Sequence, residues 1–169
     1  EEAERFYLNS GNCYRAITWH VLDLRIDPDD ERAVVTAARD LELDVWPHGI
    51  VVNGHRIRSE LREEQVDRLV ASVSASPDVR KTVNEHLRRI ARHRDIIAEG
   101  RDMTTVVFPD ADVKIYLDAS IDSRAQRRFE DLGGSVPLDE VRRRIAERDQ
   151  IDTTKAVGRL KLDPSALYI

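Results

Sequence analysis

Four cations sit where a folded chain could bring them together. Arg15 follows Ser10-Gly11 by one helical turn, Arg101 lies in Gly100-Arg101-Asp102, and Arg148 and Lys155 close the last helical stretch. Guanidinium forks bind phosphoryl oxygens bidentately and, in a cleft, stabilise charge that develops during transfer, so phosphate is their natural guest. The segment GRDMTTVVFPDADVKIYLDAS, Gly100 to Ser120, sets the Gly-Arg-Asp turn between two short apolar runs, Ile96-Ile97-Ala98 and Val113 to Leu117. Both runs read as buried strands of a parallel sheet covered on both faces. Ligands of open α/β sheets bind beyond the carboxyl ends of such strands, which is where Arg101 and Asp102 stand.

Carboxylates complete the set. Asp102 and Asp152 can accept hydrogen bonds from an amino group or a sugar hydroxyl. A helix would also place Arg148 beside Asp152, and an ion pair between them explains that spacing equally well. Glu99 is a candidate to hold Mg²⁺ through water. Arg124, Arg127 and Arg128 share one helix face next to Gly133-Gly134-Ser135, either as a lid over polyphosphate or as a solvated face. Taken singly, any of these Arg residues is a surface charge; their position at element ends singles them out. His48, His55, His86 and His93 lack metal-ligand spacing, so no zinc site is expected. Cys13 lacks a base partner and reads as structural, and Ser10 has no His/Asp setting.

The elements that must position these residues alternate. Phe6-Tyr7-Leu8 reads as a strand, and Tyr14, Ile17, Val21 and Leu24 make an amphipathic stripe. Asp27 to Asp30 offers the cap of a second helix with Ala33, Val34, Ala37, Ala38 and Leu41. Leu43–Trp46, Ile50–Val52 and His55–Ile57 are short extended runs, the last two joined by Asn53-Gly54, a type I′ hairpin pair. Helical period returns with Val66, Leu69, Val70 and Val73 and, after Pro77, with Val79, Val83, Leu87 and Ile90. Asp118-Ala119-Ser120 caps the Arg-rich helix, and a last helix turns Leu138, Val141 and Ile145 inward before a strand at the chain's end.

Composition bounds the rest. A chain of 169 residues suits one domain with an insertion, and 5% aromatic against 41% hydrophobic residues means an aliphatic core, as in α/β layers. A net charge of −5 argues against a general nucleic-acid surface. One cysteine and no long apolar span point to a cytoplasmic protein without a membrane partner.

NSGNCYRA, IRSELREEQV followed by SPDVR, EGRDMTTVVFPDADVKIYLDAS, and RDQIDTTKAVGRLK, in this order, resemble bacterial cytidylate kinase over nearly the whole chain. The resemblance implies an α/β P-loop nucleoside-monophosphate kinase fold with a parallel sheet, a small antiparallel insertion and a lid. It divides the chain into core (1–42), nucleotide-covering insertion (43–91), core (92–123), lid region (124–147) and core (148–169). It implies a monomer that transfers the γ-phosphoryl group of ATP, with Mg²⁺, to CMP or dCMP. Ser10, Gly11, Tyr14 and Arg15 would line the acceptor site, with Arg15, Arg101 and Arg148 on its phosphate as the catalytic cations. Arg80 and Asp102 would read cytosine, Asp152 the sugar hydroxyls with help from Lys155, and Arg124, Arg127 and Arg128 would flank the lid near ATP.

Four positions depart from the family's pattern. Asn9 stands where Asp is usual, Glu99 replaces an Asp, Lys155 replaces an Arg and so loses a fork, and Ala71 falls where a base-contacting Ser is expected, with Ser72 its neighbour. The phosphate-cradling G-x-x-x-x-G-K-[ST] does not occur in the 169 residues. Both ends read as cut in mid-element, so flanking sequence is expected, and the chain by itself is expected to be inactive. The alternatives are a non-catalytic nucleotide-binding fragment and a kinase for another monophosphate.

Overall fold

A computed structural model describes residues 6–46, 49–154 and 156–169. It divides into two compact units, one ending at Gly100 and one beginning at Arg101. Both mix helices with small parallel or antiparallel sheets, in keeping with an α/β chain.

In the first unit, β1 (Phe6–Asn9) leads directly into α1 (Ser10–Asp23). The turn needs no loop because Asn9 is the helix N-cap, its side-chain oxygen accepting from the Asn12 amide at 3.0 Å. One face of α1 buries Cys13, Ala16, Ile17 and Val21. Leu24 falls at the C-cap and is half-exposed, because the helix ends one residue short of it. Asp30 caps α2 (Glu31–Asp40) by accepting from the Ala33 amide.

An antiparallel meander follows: β2 (Leu43–Trp46), β3 (Gly49–Val52) and β4 (His55–Ile57). Asn53 and Gly54 have φ of 49° and 81°, the left-handed geometry that a type I′ turn demands. Alternation sends Leu43, Val45, Ile50, Val52 and Ile57 into the core. A single 3₁₀ turn, Glu60–Arg62, precedes α3 (Glu64–Val73), which packs on α1. Pro77 starts α4 (Pro77–Ala91) instead of breaking a helix, since its missing N–H costs nothing in the first turn, and Ser76 supplies the cap. The chain returns through β5 (Ile96–Glu99), parallel to β1 in the register Phe6↔Ile96 to Asn9↔Glu99.

The apolar runs predict strands covered on both faces. Leu8 is fully buried, but Tyr7 and Ile97 are 53% and 55% exposed. Period-two alternation puts them on the opposite side from Leu8, and no described element covers that side.

The second unit begins with a turn that no local sequence pattern predicts. Met103–Val107 closes as one π-helical turn, with the Val107 and Phe108 amides donating to the Asp102 and Met103 carbonyls at 3.1 and 2.7 Å. Widened turns of this kind cluster at functional sites. The strand expected over Val113 to Leu117 shortens to β6 (Ile115–Tyr116), paired in parallel with β7 (Leu167–Tyr168). Val113 and Leu117 are exposed, so this run is not a buried strand either. Two residues suffice because the Tyr116 and Tyr168 rings stack, centroids 5.6 Å apart. Ser120 caps α5 (Ile121–Asp131), and α6 (Leu138–Thr154) packs against it through Ala125 and Val141. Gly133 and Gly134, both at positive φ, make the turn between them.

Candidate functional site

The first unit gathers five of the expected residues around the start of α1. Ser10 and Gly11 form its first turn, where free helix amides favour an anion. Ser10 is buried, and a Cβ on Gly11 would lie 3.1 Å from Asn9 Oδ1, so the close turn favours glycine. Tyr14 faces inward one turn later, and the Arg80 guanidinium stands 5.1 Å from its ring centroid. Arg80 is itself 7% exposed, and its Nη1 also reaches the Ser74 carbonyl at 3.5 Å. A buried guanidinium stacked on a tyrosine is a preorganised, low-dielectric donor, suited to a planar polar ligand.

Arg15 leaves the same helix on a different face. Its Nη1 donates to the Leu61 carbonyl at 3.0 Å and to the Asp67 carboxylate. Sequence reasoning missed Asp67, and no local signal marks it, because an Asp on an exposed helix face is ordinary. Ser72, the neighbour of Ala71, spends its hydroxyl on the Leu69 carbonyl of its own helix at 2.8 Å.

Two of the departures from the family pattern meet. Asn9 and Glu99 are register partners at the carboxyl ends of β1 and β5, and Asn9 Nδ2 donates to Glu99 Oε1. An amide can cap α1 with its oxygen while bonding the carboxylate with its nitrogen; an Asp at position 9 would set two like charges together. Glu99 also raises the Tyr7 hydroxyl's pKa, after burial as the leading cause.

In the second unit, Asp152 Oδ2 lies 2.8 Å from Arg101 Nε and 3.9 Å from Arg148 Nε. The i,i+4 ion pair considered for Arg148 is therefore the longer of the two contacts, and Arg148 remains the more exposed cation. Asp102 is 5% exposed, and its carbonyl anchors the π-helical turn through the Val106 and Val107 amides. Lys155 lies outside the described residues.

Arg124, Arg127 and Arg128 line an open depression of about 350 Å³ with Glu130 and Asp131. Arg124 is fixed: Nη1 and Nη2 bond Asp149 at 2.9 and 2.6 Å, and Nε bonds the Ala119 carbonyl at 3.0 Å. That bidentate carboxylate raises the Arg124 pKa. Asp149 was not singled out from sequence, since its partner is 25 residues away.

The remaining nucleophile and histidines stand apart. Cys13 is buried, and burial pushes its thiol up to about 12, which suits the structural role expected of it. His86 Nε2 donates to the Ala38 carbonyl at 2.7 Å, and its Nδ1 accepts from Arg89 at 2.9 Å, which fixes a neutral ring in a structural position. Among the described residues, no group of three His, Cys, Asp or Glu side chains could hold a metal directly, and no helix is long and apolar enough to cross a membrane.

Comparison with known proteins yields one family. The model for cytidylate kinase matches residues 1–169. A cytidylate kinase of Roseiflexus castenholzii is 39% identical over 158 residues, 86% of this chain and 68% of the relative. One of Carboxydothermus hydrogenoformans is 36% identical over 170 residues, 96% of this chain and 77% of the relative. A bifunctional pantoate ligase/cytidylate kinase of Synechocystis is 36% identical over 173 residues, 96% of this chain but 34% of that longer protein.

Proposed function

The chain belongs to the cytidylate kinase family, and from that premise we propose that it forms the CMP or dCMP side of an enzyme that transfers the γ-phosphoryl group of ATP to those acceptors. In this reading the fold is that of the P-loop nucleoside-monophosphate kinases, with residues 43–91 as the nucleotide-covering insertion and residues 124–147 as the lid region.

The observation that supports the reading most is the Tyr14–Arg80 stack beside the first turn of α1. Tyr14 offers an aromatic wall, Arg80 a fixed donor for the carbonyl edge of cytosine, and Asp102 an acceptor for its amino group. The α1 amides at Ser10 and Gly11, with Arg15, Arg101 and Arg148, hold the acceptor phosphate. Asp152, with Lys155, takes the sugar hydroxyls. Positioning and charge stabilisation are most of what phosphoryl transfer requires, and Arg forks supply both.

For the donor, Arg124, Arg127 and Arg128 contact the ATP polyphosphate as the lid closes and water leaves. Mg²⁺ bound with ATP would supply charge neutralisation of the polyphosphate. The residues present fit a water-mediated ion better than a direct one: Glu99 is the carboxylate at the strand ends, and Asn9 holds one of its oxygens. We place the protein in the cytoplasm, as a monomer acting on small nucleotides.

Titration of the chain with CMP, dCMP, UMP and AMP tests the acceptor assignment, with CMP and dCMP expected to bind most tightly. A clear preference for AMP would sink it. Transfer is read separately, as ADP released from ATP·Mg²⁺ on addition of CMP.

A further inference from the structure

Arg15 is one of the cations assigned above to the acceptor phosphate, yet in this structure its guanidinium already faces an anion. Nη1 bonds the Asp67 carboxylate and the Leu61 carbonyl. The Arg15 side chain is 20% exposed and that of Asp67 52% exposed. The cation is thus the partly desolvated member of the pair, and the carboxylate can turn into water at little cost.

We propose that Asp67 is an internal competitor for the acceptor phosphate: its carboxylate occupies Arg15 until a phosphate monoester displaces it. The inference rests on the assignment of Arg15 to that phosphate. The chemistry sets the direction. A half-buried guanidinium is costly to leave unpaired, so the protein itself supplies a monoanion. A phosphate monoester brings nearly two charges and three oxygens, and it wins the guanidinium from a carboxylate; an uncharged nucleoside cannot. The bond to the Leu61 carbonyl involves no charge exchange, so Arg15 stays anchored to the segment before α3 while Asp67 leaves.

Two consequences follow from the exchange. Asp67 weakens acceptor binding relative to a protein without it while enforcing a demand for a charged phosphate. It also ties α3 to occupancy, because losing the Arg15 contact frees one of the links between α3 and α1.

The test compares the chain with its Asp67→Asn and Asp67→Ala variants by calorimetric titration with inorganic phosphate, CMP and cytidine. Both variants are expected to bind phosphate and CMP about two- to fivefold more tightly, the size of a partly exposed ion pair, with cytidine unchanged. Arg15→Ala should abolish that gain when combined with either change. Amide exchange across Glu64–Val73 should rise on adding CMP to the unaltered chain, and should already be raised in both variants. Unchanged or weaker phosphate binding in folded variants overturns the proposal, as does the lack of measurable phosphate binding in all three proteins. A clear preference for AMP in the acceptor titration would sink the acceptor assignment, while the phosphate comparison still judges Asp67.

Discussion

Arg101 and Asp152 form an ion pair, Nε to Oδ2 at 2.8 Å, across 51 positions of sequence, and Asp152 is much the more buried side chain of the two. Arg148 approaches the same oxygen from one helical turn away at 3.9 Å. One carboxylate thus keeps two cations near each other that would otherwise repel. An anionic ligand arriving here meets cations already gathered, and the repulsion between them has been met by the fold.

Arg101 and Asp102 are adjacent but should fail differently. Replacing Arg101 by Ala is expected to weaken every monophosphate about 10- to 100-fold, the range for a charge-assisted bond to phosphate. Replacing Asp102 by Ala should instead flatten the ratio of CMP to UMP binding. Calorimetry with both ligands on both variants measures this, and equal effects would contradict the division of roles.

Asp149 reaches Arg124 with both oxygens and so ties α6 to α5. Both side chains are about a third or more exposed, so the pair is worth about 1 kcal/mol or less. Asp149→Ala is expected to lower the melting temperature by a few degrees at low salt. At 1 M NaCl the difference from the parent should largely vanish, since exposed charges are then screened.

His86 predicts a pH dependence. Burial is the first cause that lowers its pKa in the folded chain, with the nearby Arg89 charge acting in the same direction and the Ala38 carbonyl opposing. A histidine with a lowered folded pKa binds fewer protons folded than unfolded, so its contribution is complete above about 6.5. It is lost as the pH falls from there through the folded value. Urea midpoints measured from pH 8 down to 5 should decline through this window, and His86→Gln should decline less.

Among the described residues, Asn84 has a buried side-chain oxygen with no hydrogen-bond partner, on α4 one turn beyond Arg80. An unpaired buried acceptor costs about 1–3 kcal/mol. Asn84→Leu is therefore expected to raise stability by about 1 kcal/mol, read as a shifted urea midpoint at constant slope. A loss of that size instead would mean that the oxygen has a partner in solution.

Local patterns were legible wherever the cause was local. Asp30 and Ser120 cap helices because their oxygens reach amides three residues on. Asn53-Gly54 turns because its φ values are positive. The family resemblance rests on similarly short blocks, and the match over residues 1–169 bears it out.

The tertiary structure alone decided what each charge faces. Composition and spacing identified Arg15, Arg101 and Arg124 as cations at element ends, but their partners Asp67, Asp152 and Asp149 come from 25 to 52 positions away. The exposure of Tyr7, Ile97, Val113 and Leu117 was equally hidden, since a β-branched run reads the same whether or not another layer covers it. Helix caps and turns are bonds between neighbours in sequence and so can be read from it. Ion pairing and burial depend on which distant surfaces meet, and that is settled by packing.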